Sequence, residues 1–130
     1  MSLKDSLRVM VVDDMSTSRG ILTQCLDELG VKNYMVENNG QSAFQKITKT
    51  PVHLVLSDYN MPGMDGLGLL QAVRGHQVTQ RVGFILVTGK PTPEIIEVGK
   101  KLGLNNIIRH PFTGATLKQA NAQLVGRLGS

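Results

Sequence analysis

The stretch Arg8-Val9-Met10-Val11-Val12-Asp13-Asp14-Met15-Ser16-Thr17-Ser18-Arg19 decides the fold. Its short apolar run, rich in β-branched residues, reads as a strand buried on both faces of a parallel sheet. Two acids end the run. A second stretch repeats the design, Val52-His53-Leu54-Val55-Leu56-Ser57 leading into Asp58. In an open α/β sheet, groups at the carboxyl ends of neighbouring strands converge in one crevice. Three carboxylates gathered there repel one another unless something positive sits between them. The sequence therefore predicts an acidic pocket suited to a divalent cation.

Strand and helix patterns alternate along the rest of the chain. Strand-like runs occur near 8–12, 33–37, 52–57, 82–88 and 105–109. Between them, Ile21, Leu22, Cys25, Leu26 and Leu29 form one helical stripe, stopped by Gly30. Ala43, Phe44 and Ile47 begin another after Gly40, and Leu67, Leu70 and Val73 form a third, closed by Gly75. Ile95, Ile96, Gly99 and Leu102 make a fourth, with Thr92-Pro93 suiting its first turn and Gly103 its end. Leu117, Ala120, Leu124 and Leu128 make the last. Five βα repeats with short loops predict an α/β fold, a single parallel sheet with helices on both faces and right-handed crossovers. The first βα turn contains no glycine and carries two acids, which excludes a dinucleotide fingerprint and a P-loop.

Composition narrows the function classes. At 130 residues the chain fits one domain, 1–130, with no output domain expected. No apolar run approaches the roughly 18 residues that span a bilayer, and the polar segment Met1 to Arg8 does not make a signal peptide. A soluble, cytoplasmic monomer with no membrane partner is expected. The lone Cys25 lies on an apolar helical face and reads as a small buried hydrophobe. One Cys and three scattered His do not supply a zinc site. Setting the three pocket acids aside leaves seven acidic residues against 14 basic ones, so the remaining surface is basic. The basic residues are scattered and stacking aromatics are few, with three Phe, two Tyr and no Trp, so no nucleic-acid partner is expected.

The segments Val-Val-Asp-Asp-Met-Ser-Thr-Ser-Arg (11–19), Ser-Asp-Tyr-Asn-Met-Pro-Gly-Met-Asp-Gly (57–66), Val-Thr-Gly (87–89) and His-Pro-Phe-Thr (110–113) resemble the receiver domain of two-component response regulators. The likeness covers essentially the whole chain and is greatest to stand-alone chemotaxis receivers. It implies a flavodoxin-like, doubly wound (βα)5 fold with a five-stranded parallel sheet in the order 2-1-3-4-5. It also implies a single-domain phosphoacceptor signalling protein rather than an enzyme. Asp58 would receive a phosphoryl group from a histidine kinase or a small acyl phosphate, giving a labile acyl phosphate. Mg²⁺, a hard oxygen-seeking cation, would be held by the side chains of Asp14 and Asp58, by the Asn60 backbone carbonyl, and by Asp13 largely through water. Thr88 would contact a phosphoryl oxygen and draw the following loop inward. Output would pass by protein–protein contact, for example with a flagellar motor switch component or a phosphatase.

Plainer structural roles compete for several of these residues. Asp13 and Asp14 suit a helix start, where Ser16 is also a cap candidate. Thr88 alone is an ordinary β-branched strand residue, and Asp65 is expected to cap the third helix. The resemblance also breaks in places. Where the family carries a lysine before the last proline, this chain has His110, shorter and only conditionally charged, with an unperturbed pKa of about 6.5. Arg109 neighbours it on a strand whose successive side chains alternate faces, so it does not simply take over. Lys90, two residues after Thr88, offers part of the missing charge. Ile107 stands where the family usually has an aromatic ring that swings on activation. The expected output face holds Lys100, Lys101, Arg109, Lys118 and Arg127. These losses leave two alternatives open, a phosphate-sink receiver and a pseudo-receiver that is never phosphorylated. A phosphatase working through an aspartyl phosphate would want an Asp-x-Asp arrangement and a cap domain, and this chain offers neither.

Overall fold

Side-chain alternation along the strands divides the core in two. In β1 (Arg8–Val12), Val9 and Val11 enter one hydrophobic layer while Met10 and Val12 enter the other. The same split runs through β3 (Leu54–Asp58) and β4 (Gly83–Thr88), with Ile85 and Val87 in the first layer and Phe84 and Leu86 in the second. All six residues of β4 are buried, as a strand covered on both faces requires.

The structure, a computed structural model, describes residues 7–28 and 30–109. Between the strands already given lie α1 (Ser16–Glu28), β2 (Asn33–Glu37), α2 (Gly40–Lys49), α3 (Gly66–Gly75) and α4 (Pro93–Lys101), and the series ends at β5 (Asn106–Arg109). The strands form one five-stranded parallel sheet in the order β2-β1-β3-β4-β5. This is the flavodoxin-like, doubly wound arrangement expected. His110 and the segment it opens, the expected last helix with Leu117, Ala120, Leu124 and Leu128, the basic residues Lys118 and Arg127, and Leu29 all lie outside the described residues.

α1 covers the first layer through Leu22, Cys25 and Leu26. α2 and α3 cover the second through Ala43, Ile47, Leu69, Leu70 and Val73. Cys25 is buried as expected, and burial raises its thiol pKa. Caps set the helix starts. Asp65 Oδ1 accepts from Gly68 N at 2.8 Å, Thr92 Oγ1 from Ile95 N at 3.2 Å, and Asn39 Oδ1 from Ser42 N at 2.8 Å. Pro93 occupies the first turn of α4.

Leu67 packs against the second layer with Leu70 and Val73 as expected, and Leu69 joins them in the core. Two expectations are corrected. Ile21 is 45% exposed, because only the Leu22, Cys25, Leu26 spacing aims at the sheet. Ser16 does not cap α1. It is the first helical residue, and Arg19 N donates to Met15 O at 3.0 Å, which places the boundary at Met15.

Arg74 ties down the end of the sheet far from the acids. From the last turn of α3 its Nε and Nη2 donate to Gly103 O at 3.2 and 2.8 Å, and Nη2 also reaches Asn105 Oδ1 at 3.1 Å. Its Nη1 donates to the carbonyls of Gln80 and Val82. One half-buried cation thus gathers four acceptors from the segments that follow α3 and α4. Arg74→Met keeps the stem and removes the donors. It should lower unfolding free energy by about 2–3 kcal/mol in urea denaturation, since carbonyl acceptors lose a charged partner.

Candidate functional site

Strand register delivers the acids. β1 pairs with β3 so that Val12 lies opposite Ser57, and the next residue of each strand is an aspartate. Asp13 and Asp58 therefore leave the sheet side by side. Asp13 is 1% exposed and fastened at several points. Its N–H donates to Glu37 O at 3.1 Å, its Oδ1 accepts from Met15 N at 2.9 Å, and its carbonyl accepts from Arg19 Nη1 at 2.8 Å. The capping reading of Asp13 is corrected: its carboxylate closes the turn ahead of α1, whose boundary lies at Met15, and the same carboxylate belongs to the acidic cluster. Asp14 follows on the exposed rim.

One carboxylate oxygen from each of Asp13, Asp14 and Asp58 falls within 4.8 Å of the others. At that separation the buried Asp13 and the half-buried Asp58 repel by roughly 3 kcal/mol at an effective dielectric constant of about 20. The pKa of Asp58 shows the consequence. Burial first, then the charge of Asp13, and more weakly that of Asp14, push it up to about 6, against the smaller pull of the Tyr59 and Asn60 backbone hydrogen bonds. Both charges acting on it are negative. The donor set is wholly oxygen and wholly anionic, with no sulfur or imidazole, which fits a hard divalent cation such as Mg²⁺.

The loop after β3 forms the other wall. Asp14, Tyr59, Asn60, Met61, Pro62, Gly63 and Asp65 line a groove of about 470 Å³, so Asn60 shares a cleft with the rim acid. Gly63 turns this loop at φ 78°, in the left-handed region open to glycine. Gly66 then brings the chain back, its N–H donating to Tyr59 O at 2.9 Å. A Cβ on Gly66 would lie 2.6 Å from Asp58 O and 2.5 Å from Leu86 Cδ1. The glycine is demanded by close approach to the backbone of Asp58.

Thr88 ends β4, the strand beside β3, one register step beyond the pairing of Asp58 with Val87. It is 2% exposed, and its Oγ1 accepts from Lys90 N at 3.3 Å. Lys90 itself is exposed on the following loop. His110 falls outside the described residues. Ile107 is partly buried against the second core layer, opposite Leu86. Of the expected basic face, Lys100, Lys101 and Arg109 are exposed, with Lys101 Nζ 3.6 Å from Glu97. Arg19 was not singled out from sequence. The available signal was a cation near a helix start, the end that disfavours positive charge.

Comparison with known proteins places these features. The sequence profile of the response regulator receiver domain matches residues 9–122. A Rhizobium etli protein named "Probable chemotaxis protein CheY" is 38% identical over 128 residues, 98% of this chain and 99% of that protein. Chemotaxis protein CheY-3 of Vibrio cholerae is 32% identical over 126 residues, 97% of each chain. The structure of Vibrio cholerae CheY4 superimposes with a TM-score of 0.85 at 26% identity, covering 91% of this chain and 98% of that one.

Two outcomes follow from the site's electrostatics and packing. Asp58 holds its proton more tightly folded, with a pKa of about 6, than unfolded, near 3.8. The folded state then binds more protons between those values, so stability falls as pH rises from about 4 to about 6. Thermal midpoints of metal-free protein should show this fall, and Asp58→Asn should remove it. Gly66→Ala should destabilise by about 1–3 kcal/mol through overpacking. Gly20→Ala, on α1 where a Cβ meets nothing within 4 Å, should stabilise by about 0.5–1 kcal/mol. Urea midpoints of both variants measure the contrast.

Proposed function

The chain belongs to the response regulator receiver domain family, and on that premise we propose that it is a single-domain phosphoacceptor of a chemotaxis-type two-component pathway, phosphorylated on Asp58 by a histidine kinase. The observation that carries this reading is the convergence of the Asp13, Asp14 and Asp58 oxygens within 4.8 Å at the carboxyl ends of β1 and β3. Such a pocket gains little from a neutral ligand and much from a cation joined to a phosphoryl group.

Each residue has a defined part. Asp58, ionised at neutral pH, attacks the phosphorus, and the bond to the donor's imidazole nitrogen or acyl oxygen breaks with departure of that group. The product is an acyl phosphate on Asp58, cleaved later by water to return the carboxylate. Asp14 and Asp58 through their side chains, Asn60 through its backbone carbonyl and Asp13 largely through water would hold Mg²⁺. When bound, Mg²⁺ offsets the charge of the carboxylates and of the equatorial phosphoryl oxygens. Thr88 donates its hydroxyl proton to a phosphoryl oxygen and so links the site to the loop that carries Lys90. Lys90, with His110 at the family's lysine position, supplies positive charge near the transferred group.

Output passes through protein contact, with a flagellar motor switch component or a phosphatase as partner. The exposed Lys100 and Arg109 favour an acidic segment on such a partner. The protein acts in the cytoplasm as a monomer, and no described helix is long and apolar enough to cross a membrane. One observation favours a second reading, a phosphate sink that drains the kinase. Ile107 is aliphatic and packed against the core, so no ring at that position can swing between surface and interior.

Incubation with acetyl phosphate and Mg²⁺, followed by intact-mass measurement, should add one phosphoryl group to the wild-type chain and none to Asp58→Asn. No gain with any donor would reject the reading in favour of a pseudo-receiver. Lys90→Ala should change the rate of phosphorylation or of dephosphorylation in the same assay, and two unchanged rates would remove Lys90 from the site. Binding of the phosphorylated chain to purified switch components separates messenger from sink.

A further inference from the structure

Arg19 stands against a local rule. It lies near the start of α1, where the helix dipole disfavours a cation, and the first turn of α1 holds no acidic residue to compensate. The side chain turns back past the helix start, and its Nη1 donates to Asp13 O at 2.8 Å. A position that costs stability locally calls for a gain elsewhere.

That gain lies in the β1–α1 turn. Asp13 and Asp14 must approach Asp58 to within 4.8 Å although all three repel. A turn free to relax would swing the two acids apart. Three bonds oppose that movement, from Asp13 N to Glu37 O, from Met15 N to Asp13 Oδ1, and from Arg19 to Asp13 O. The first two fasten the amide and the carboxylate. The third fixes the carbonyl and brings a permanent positive charge beside it.

We propose that Arg19 is a positioning residue of the acidic pocket, its guanidinium holding the Asp13 carbonyl so that Asp13 and Asp14 converge on Asp58 before a cation arrives. The positioning is a property of the metal-free chain. Its consequence for Mg²⁺ rests on the function proposed above. Outer-sphere partners of metal ligands commonly govern affinity in this way, with losses of about 10–100-fold on removal.

The test compares wild type, Arg19→Ala and Arg19→Lys. In metal-free protein, amide exchange of Met15 should accelerate several-fold in Arg19→Ala, while Ile85 and Leu86 in β4 keep their protection. By calorimetry, Mg²⁺ affinity should fall about 10-fold or more. Arg19→Lys, which keeps the charge and one donor, should recover part of both effects. Unchanged Met15 exchange overturns the proposal. So does loss of protection spread equally over β4, which would mark a general packing role. Wild type that binds no Mg²⁺, with Met15 exchange still accelerated in Arg19→Ala, would reject the magnesium reading and support the positioning role.

Discussion

Pairing Val12 of β1 with Ser57 of β3 places two aspartates side by side at the carboxyl ends of two interior strands, and the rest of the site is arranged around their repulsion. Asp14 adds a third negative charge. Burial and these neighbours raise the pKa of Asp58 to about 6, so at neutral pH the folded chain holds an ionised group under strain. The pocket therefore opposes folding and favours a cation. Stored repulsion of this kind is a way to bind a divalent ion tightly without a preformed cage of neutral donors.

The scaffold tolerates this because the core is built from two independent layers. β1, β3 and β4 are buried on both faces, with α1 on one face and α2 and α3 on the other. Stability lost at the carboxyl ends of the strands is offset by packing through the sheet and by the Arg74 cluster at the other end. Gly66 belongs to the same balance, since its missing side chain lets α3 start against the backbone of Asp58. β3 carries Asp58 as its last residue, Asp13 and Asp14 follow β1 in the turn to α1, and exposed loops carry Asn60 and Lys90.

Much of this was legible in the chain. The runs ending at Asp13 and Asp58 marked two buried strands with acids at the same end, because β-branched continuity and a sudden charge have few other meanings. Asp65 and Thr92 were readable as caps from their spacing to the helices they open. Ile21 was misplaced because a stripe read at helical period is wider than the line of contact with the sheet. Ser16 was misread because Asp13, a residue with an evident pocket role, also organises the turn. Local patterns assign one role per residue, and this carboxylate has two.

The sequence by itself determined the alternation of strands and helices, the two-faced burial of the central strands and the identity of the three acids. These depend on residue type and short-range period, which the chain carries in linear order. Tertiary structure alone decided that Asp13, Asp14 and Asp58 meet within 4.8 Å, that Asp58 titrates near 6, and that Arg19 reaches back to Asp13. The first two arise from strand register and from burial shared by segments more than forty residues apart, and the third from the path of the β1–α1 turn. Repulsion between charges depends on distance and on the medium, and neither exists until the sheet has formed.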